Sequence, residues 1–508
     1  MDNNLYDVIV IGAGNAGLSA AATTARHGLR TLVIERNLLP GGCATSFRRG
    51  RFEFETSLHE LANVGPEDNP GTVRKFFEEY GIDIDWCIEK TAFRAIVDGE
   101  DGYDVTMPVG VDAFCDEMER QVPGSYDSVR AVFDLAKKAD AALAYLSQGK
   151  PDPQVLMTEH VDFLRMASHS VNEGLDALGM PKKAQHILST YWSYLGSPTD
   201  QLDFLLYTIM VERYIGLGPA MPHMRSNELA LALESSIRRN GGEIWYNTEV
   251  SQILVRDGKA YGVRIGNKEI YAKKIISNCH PGTAYKKLLS KDHIPEKAVK
   301  LANARTNGMQ FFTMYIGLCR SAKELGINDY SVFLLGSPDT REQYNSCENI
   351  NDSLMIVNCL NNVLPDASPE GTSTLFFTTL LIKDLLEGVS PEEYKKVKNN
   401  IADTLIRRYE EKLGVSIRPY IEEIAISTPA TFARYLNTPG GTPYGYELTL
   451  WDSMMARTLN GKNEQLIGNL WLVGAHGERG DGYNSTYANG RCCGLKAVRE
   501  IHLEKECE

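Results

Sequence analysis

Gly12, Ala13, Gly14, Ala16 and Gly17, followed by Glu35, have the types and spacing to hold a dinucleotide. Gly12 suits a tight turn, Gly14 lets backbone approach a pyrophosphate, and Gly17 lets a helix pack closely on the preceding strand. Glu35 follows Gly14 by 21 residues, where a carboxylate meets the hydroxyl pair of a ribose. A second small-residue set, Gly41-Gly42-Cys43-Ala44-Thr45, comes just after this acid and suits close passage of a phosphate-bearing chain. Near the other end, Gly474-Ala475-His476-Gly477-Glu478-Arg479-Gly480-Asp481-Gly482 combines a glycine loop with groups that can carry protons. His59, Glu60, Tyr444, His476 and Glu478 are the acid/base candidates. His59 leads because an unperturbed imidazole titrates near neutral pH.

These residues need strands and helices to position them. Val8 to Ile11 is an apolar strand running into the first glycine turn, a small-residue helix follows, and Thr31 to Ile34 is a second strand closing on Glu35. Leu470 to Val473 is a short buried strand, and Tyr483 to Glu500 is a helix rich in small residues: Ser485, Ala488, Gly490, Cys493 and Gly494. Both arrangements aim unpaired helix N–H groups and a partial positive charge at something anionic.

Between these ends, Val73, Phe76, Phe77 and Tyr80 mark a helix, and Ala92 to Val97 with Tyr103 to Met107 a hairpin. From about Asp112 to Tyr214 the apolar spacing is mainly helical, fitting a lid, a substrate channel or an ordinary packed subdomain. Leu229, Leu233 and Ile237 share a helical face that Gly241-Gly242 ends. Strand character follows at Ile244 to Thr248, Val250 to Val255, Ala260 to Ile265, Glu269 to Ala272 and Lys274 to Ser277, with a hairpin turn at Asp257-Gly258. Gln310 to Ile316, Ser331 to Leu335, Ser353 to Cys359, Thr374 to Leu381 and Ile421 to Ser427 recur without regular crossover helices, which predicts a largely antiparallel sheet.

A chain of 508 residues exceeds the size of a single core, so two domains are expected. A net charge of −13 with no basic tract argues against nucleic acid as a partner. The ten cysteines are scattered without a CxxC pair, so no metal cluster and no disulfide framework is expected. No apolar run approaches the roughly 18 residues of a membrane span. The sequence begins almost at its first strand, which sets a cytoplasmic expectation and leaves peripheral membrane contact open.

Taken together, residues 6 to 58, the stretch from Asn227 to Leu289 and LWLVGAHGERGDGYNSTYANG resemble the flavin amine oxidase and phytoene desaturase superfamily. The resemblance is to its carotenoid desaturase, carotenoid isomerase and retinol saturase branch. STPATFARY and GGTPYGYE (residues 427–447) add a fourth, weaker block.

The resemblance implies an α/β fold: a split Rossmann-type FAD-binding domain with an inserted α+β substrate domain. FAD-binding segments would span residues 1–90, 216–290 and 456–508. A largely helical part of the substrate domain would span 91–215, and its antiparallel sheet 291–455. Carried over, Gly12, Gly14, Ala16 and Gly17 would cradle the FAD pyrophosphate, while Glu35 and Arg36 would hold the adenosine ribose. Gly41, Gly42, Cys43 and Thr45 would run along the diphosphate and ribityl chain. Val250 and Ser277 belong to the middle segment, Val250 meeting adenine through its backbone, and Gly474, Asp481, Gly482 and Tyr483 would surround the flavin end. His59 lies where saturase-like members carry a histidine.

Departures from the family pattern are informative. Met221 to Arg225 lacks the usual glycine pair, and Thr56 to Glu60 replaces a glycine expected after Phe54-Glu55. The loop holding His476, Glu478, Arg479 and Asp481 is more charged than a purely hydrocarbon substrate requires. It favours a hydrophobic or amphipathic substrate with a polar head group, for which Arg434 is the expected anchor. The implied activity is saturation, isomerisation or desaturation of carbon–carbon double bonds, with NAD(P)H bound transiently or another electron partner. The alternatives are a flavin amine oxidase-type enzyme and a lipid-binding, non-enzymatic protein of the same fold.

Overall fold

The opening strand, Leu5–Ile11, is buried along almost its whole length and stands in the middle of a parallel arrangement. The computed structural model describes residues 5–149 and 151–506; Cys507 lies outside them. One edge of Leu5–Ile11 pairs with Thr31–Ile34, which in turn pairs with Glu243–Trp245. The other edge pairs with Lys268–Ser277. Glu269 to Ala272 and Lys274 to Ser277, expected as separate strands, are one continuous strand of ten residues. It changes partner along its length. Its first part pairs antiparallel with Lys259–Ile265, and its last three residues pair parallel with Leu470–Leu472. Strand Gln252–Arg256 starts two residues later than Val250, which leaves Val250 in the loop before it. This sheet therefore draws strands from residues 5–34, 243–277 and 470–472.

The first helix, Asn15–Arg26, is clamped between this sheet and the C-terminal helix, Tyr483–Glu506. Small residues set the closeness of that crossing. A Cβ on Gly490 would lie 2.1 Å from the Ala16 carbonyl oxygen, and one on Gly494 would lie 2.8 Å from Thr23 Cβ. Ser19 donates across the contact to the Tyr487 carbonyl at 2.7 Å.

A second sheet runs Ile421–Ser427, Gln310–Leu318, Ser373–Leu381, Met355–Cys359, Ser331–Leu335, Thr91–Val97 and Tyr103–Pro108. It is antiparallel except for the Ser331–Leu335 and Thr91–Val97 pair. Strand alternation divides its faces. Phe312, Met314, Ile316 and Phe377 pack under helix Pro391–Leu413 through Leu405 and Tyr409, whereas Phe311, Thr378 and Leu380 face the other way. That other face meets the helical stretch between Val111 and Val211, whose buried Phe133, Trp192, Leu205 and Tyr207 form a large shared core. Among the described residues, no helix is long and apolar enough to cross a membrane.

Candidate active site

A single cavity of about 410 Å³ lies between the two sheets. At one end its wall is the glycine cradle. Gly12, Gly14, Gly41, Gly42, Gly474 and Gly482 all contribute to it, together with Ala16, Glu35, Arg36, Cys43, Val250, Asp481 and Tyr483. At the other end the wall is apolar and aromatic, formed by Leu206, Ile209, Met210, Phe311, Leu380 and Tyr444.

The cradle suits an anion. Gly12 turns at φ +94°, a left-handed conformation that disfavours any side chain. Helix Asn15–Arg26 begins without a side-chain cap or an acid in its first turn, so its first N–H groups remain available. The two glycine segments are joined by a hydrogen bond from the Gly41 N–H to the Ala13 carbonyl at 2.7 Å. Glu35 is buried and accepts N–H bonds from Ala13 and Asn37, each at 2.7 Å. Its carboxylate thus fixes the turn as well as facing the cavity. Asn278 belongs to none of the glycine motifs. With its amide oriented to satisfy both neighbours, it accepts from the Gly14 N–H and donates to the Val473 carbonyl, both at 3.1 Å. It ties the first glycine turn to the third chain segment.

Gly17, Thr45 and Ser277 stand outside the wall. A Cβ on Gly17 would lie 2.1 Å from the Gly12 carbonyl oxygen, so this glycine acts on the turn through packing. Thr45 instead hydrogen-bonds Thr56 across a hairpin at 3.1 Å. Ser277 is fully buried at a strand end, where its carbonyl accepts from Val473 N–H at 2.9 Å.

Four of the five acid/base candidates, His59, Glu60, Tyr444 and His476, line the cavity; Glu478 does not. His59 Nε2 meets Thr378 Oγ1 at 2.6 Å, and its ring stacks on Phe376 with centroids 4.8 Å apart. Burial lowers its pKa to about 4, so it is neutral near pH 7 and carries no spare proton there. Tyr444 is buried and donates to the Ser193 carbonyl at 2.6 Å, with burial raising its pKa well above the usual phenol value. His476 lies beside His280, ring centroids 6.1 Å apart, and Nε2 of each has no hydrogen-bond partner. Burial keeps both imidazoles neutral. Glu60 is different: burial raises the pKa of its carboxyl, which favours the protonated acid.

Arg434 does not meet the cavity. It is exposed, with its guanidinium over the Tyr435 ring, because its helix turns that side chain outward. Besides Arg36, the wall holds Arg213, in a π-helical turn, ion-paired with Glu212 and Asp140. Buried polar side chains also brace the wall. Glu55, of the Phe54-Glu55 pair, is 1% exposed and accepts from the Ser226 N–H at 2.9 Å and the Leu58 N–H at 3.2 Å. It fastens the His59-Glu60 loop to the start of helix Arg225–Arg239. On the opposite side, Arg457 donates to Asp452 at 2.7 Å and to the Gly477 carbonyl at 3.3 Å, holding the Gly474–Gly482 loop.

Asp481 gives a pH test. Burial raises its pKa from 3.8 to about 7. Its neutral form therefore contributes stability that is fully present below about 3.8 and is lost as pH rises through about 7. The thermal midpoint of Asp481→Asn should accordingly fall less than that of the wild type between those pH values. Parallel slopes for the two proteins would contradict this assignment.

A Rossmann-like layer sharing one cavity with an antiparallel sheet defines the class as an α/β protein built around a nucleotide cradle. Residues 10–80 match the model of an NAD(P)-binding Rossmann-like domain. The solved structure of cyclohexylamine oxidase from Brevibacterium oxydans IH-35A shares the fold, with a TM-score of 0.61 at 14% identity, covering 98% of this chain and 99% of that one. In sequence, the chain is similar to chloroplastic prolycopene isomerase 1 of an Oncidium hybrid cultivar, 25% identical over 521 residues, covering 99% of this chain and 85% of the relative. It is also similar to human (Homo sapiens) all-trans-retinol 13,14-reductase, 25% identical, covering 92% of this chain and 82% of the relative. The chain is a relative of these isomerases and reductases.

Proposed function

We propose that the chain is an FAD-dependent enzyme that reduces or isomerises carbon–carbon double bonds in a polyene, isoprenoid or similar lipid-like substrate with a polar end. The observation that carries this reading is the continuity of the cavity from glycine cradle to apolar chamber. A dinucleotide in the first part leaves room for an apolar chain in the second, where few polar groups would be stranded. The names of the two relatives, an isomerase of prolycopene and a reductase of retinol, agree with chemistry at conjugated double bonds.

In this reading the Gly12–Gly17 turn, with Gly41 and Gly42, holds the FAD pyrophosphate, Glu35 and Arg36 the adenosine end, and Gly474, Asp481, Gly482 and Tyr483 the flavin end. Bound FAD supplies the electron-transfer chemistry. The protein keeps the chamber dry and orients the double bond. Glu60 holds the proton a reduction requires, and neutral His59 positions it with Thr378 at its back. A polar end on the substrate is served by His476, in the wall. Electrons come from transiently bound NAD(P)H or another partner in a reduction, and no net supply is needed in an isomerisation.

The purified protein should be yellow and release FAD on denaturation. Under anaerobic conditions, protein reduced with dithionite should be reoxidised by a retinoid or carotene, or should shift its double bonds. Colourless protein that takes up no added FAD would sink the proposal and favour a lipid-binding role. Oxidised protein that dehydrogenates these compounds, while the reduced form leaves them unchanged, would make it a desaturase.

A further inference from the structure

Three parallel strands of the first sheet end at one level. Ile34, Ile11 and Ser277 stand in register at the carboxyl ends of Thr31–Ile34, Leu5–Ile11 and Lys268–Ser277, with Leu5–Ile11 in the middle. The Gly12–Gly17 turn leaves the middle strand. The loops leaving the outer two carry Arg36 and Asn37 on one side and Thr283 and Lys287 on the other. Both sides reach the same distant stretch, the end of helix Pro429–Leu436. Arg36 Nη2 donates to the carbonyls of Arg434 and Tyr435, the latter at 2.9 Å, and Asn37 Nδ2 donates to the Tyr435 carbonyl at 3.2 Å. From the other side, Thr283 Oγ1 donates to the Asn437 carbonyl and Lys287 Nζ to Asn437 Oδ1, each at 2.6 Å.

The last turn of a helix leaves carbonyls without partners inside the helix, and its dipole favours a cation there. Asn437, at φ +58°, caps the Ala433 carbonyl with its own N–H at 2.9 Å. The next two carbonyls are satisfied by Arg36 and Asn37, so Arg36 Nη2, expected at the adenosine ribose, is spent on a helix end. The start of the helix is fixed separately: Thr428 and Thr431 close a capping box, and the Tyr394 hydroxyl meets Thr428 Oγ1 at 2.7 Å. Residues 435–438 line the same cavity as Gly12, Gly14 and Glu35, whereas Thr283 and Lys287 lie outside its wall. Ligands of open α/β sheets sit outside the carboxyl ends of the strands. A segment tied to both outer loops and lining that cavity therefore bridges the crevice at the middle strand's glycine turn.

We infer that residues 434–437 form a strap across the dinucleotide cradle, and that Arg36, Asn37, Thr283 and Lys287 are positioning residues that hold it shut. The cofactor enters and leaves when these side chains release the helix end, so the strap governs the rates of uptake and release. Thr283 and Lys287 act through Asn437, without touching the cofactor. The identity of the enclosed nucleotide rests on the proposed function; the strap's contacts do not.

The test is the kinetics of FAD uptake by the deflavinated full chain and of FAD release from the loaded protein after dilution, both followed by flavin fluorescence. Thr283→Val and Lys287→Met should each speed release about tenfold, the effect of one lost charge-assisted or buried hydrogen bond. Uptake should quicken as well, so that Kd rises by less than the release rate. Arg36→Met should behave alike, and Arg36→Lys should recover part of the loss because it keeps a cation at the helix end. Where Thr283→Val fails to fold, the exposed Lys287 carries the comparison. Wild-type rates in Thr283→Val and Lys287→Met overturn the strap. So does faster release with unchanged uptake, the mark of direct cofactor contact or of a merely structural role. Protein that binds neither FAD nor ADP overturns the strap and the proposed function together. Faster exchange in variants of a protein that turns over no polyene retains the strap and overturns the proposed chemistry alone.

Discussion

Protein carrying Gly17→Ala is expected to purify with little or no flavin. The added Cβ would lie 2.1 Å from the Gly12 carbonyl oxygen and 3.2 Å from Asn278 Cβ. The closer obstacle is backbone, so no side chain can rotate away to accommodate it. Helix Asn15–Arg26 must withdraw, yet its far side is already pressed against Gly490 and Gly494. Overpacking of this kind costs about 1–3 kcal/mol, and the distortion falls on the turn proposed to hold the FAD pyrophosphate. FAD affinity should weaken by about ten- to a hundredfold, at 1.4 kcal/mol per factor of ten. The measurement is flavin absorbance per protein after gel filtration, followed by titration with FAD. Full occupancy in the variant would remove the cradle from the Gly12–Gly17 turn.

Asp452→Ala should have the largest effect on stability. Asp452 is 3% exposed and accepts from Arg457 at 2.7 Å and from Arg305 at 2.8 Å. Glu464 also pairs with Arg305, at 2.8 Å, so that guanidinium keeps a counter-charge when Asp452 is removed. Arg457 does not. It would be left buried with only the carbonyls of Tyr446, Glu447 and Gly477 as acceptors. An uncompensated buried charge of this kind costs about 3–5 kcal/mol. Because Arg457 holds the Gly474–Gly482 loop, the loss should appear both as a lower thermal midpoint and as earlier flavin release on heating. Asp452→Asn keeps the shape without the charge and should fall between wild type and alanine. Wild-type midpoints in both variants would show that the ion pair contributes nothing.

The cradle was readable from sequence because its parts are local. Strand, glycine turn, helix and second strand fit within Leu5 to Glu35, and spacing alone reports their geometry. The antiparallel sheet was readable for the same reason, since each strand carries its own alternation. Two neighbouring stretches read as separate strands, Glu269 to Ala272 and Lys274 to Ser277, merged because the strand continues while its partner changes. What escaped depends on pairs far apart in sequence. Nothing near Glu55 announces Ser226, and nothing near Asp452 announces Arg305. Asn278 left a trace, a polar residue at the end of an apolar strand, but its meaning needs both Gly14 and Val473 beside it. Arg434 shows the converse: a suitable residue type in a family-like block, with its side chain turned to solvent.

The order of synthesis gives the first sheet a further property. Leu5–Ile11 and its helix are synthesised well before the strand Leu470–Leu472 and the helix Tyr483–Glu506 that complete the packing around them. At about 5–20 residues per second, the opening segment waits roughly half a minute or more for its partners. Through that interval the alanine-rich face of Asn15–Arg26 that Tyr483–Glu506 packs against remains uncovered. Newborn chains of this protein should therefore depend on chaperones until Tyr483–Glu506 is made, and chains stopped before residue 470 should be degraded rather than accumulate as cofactor-binding fragments.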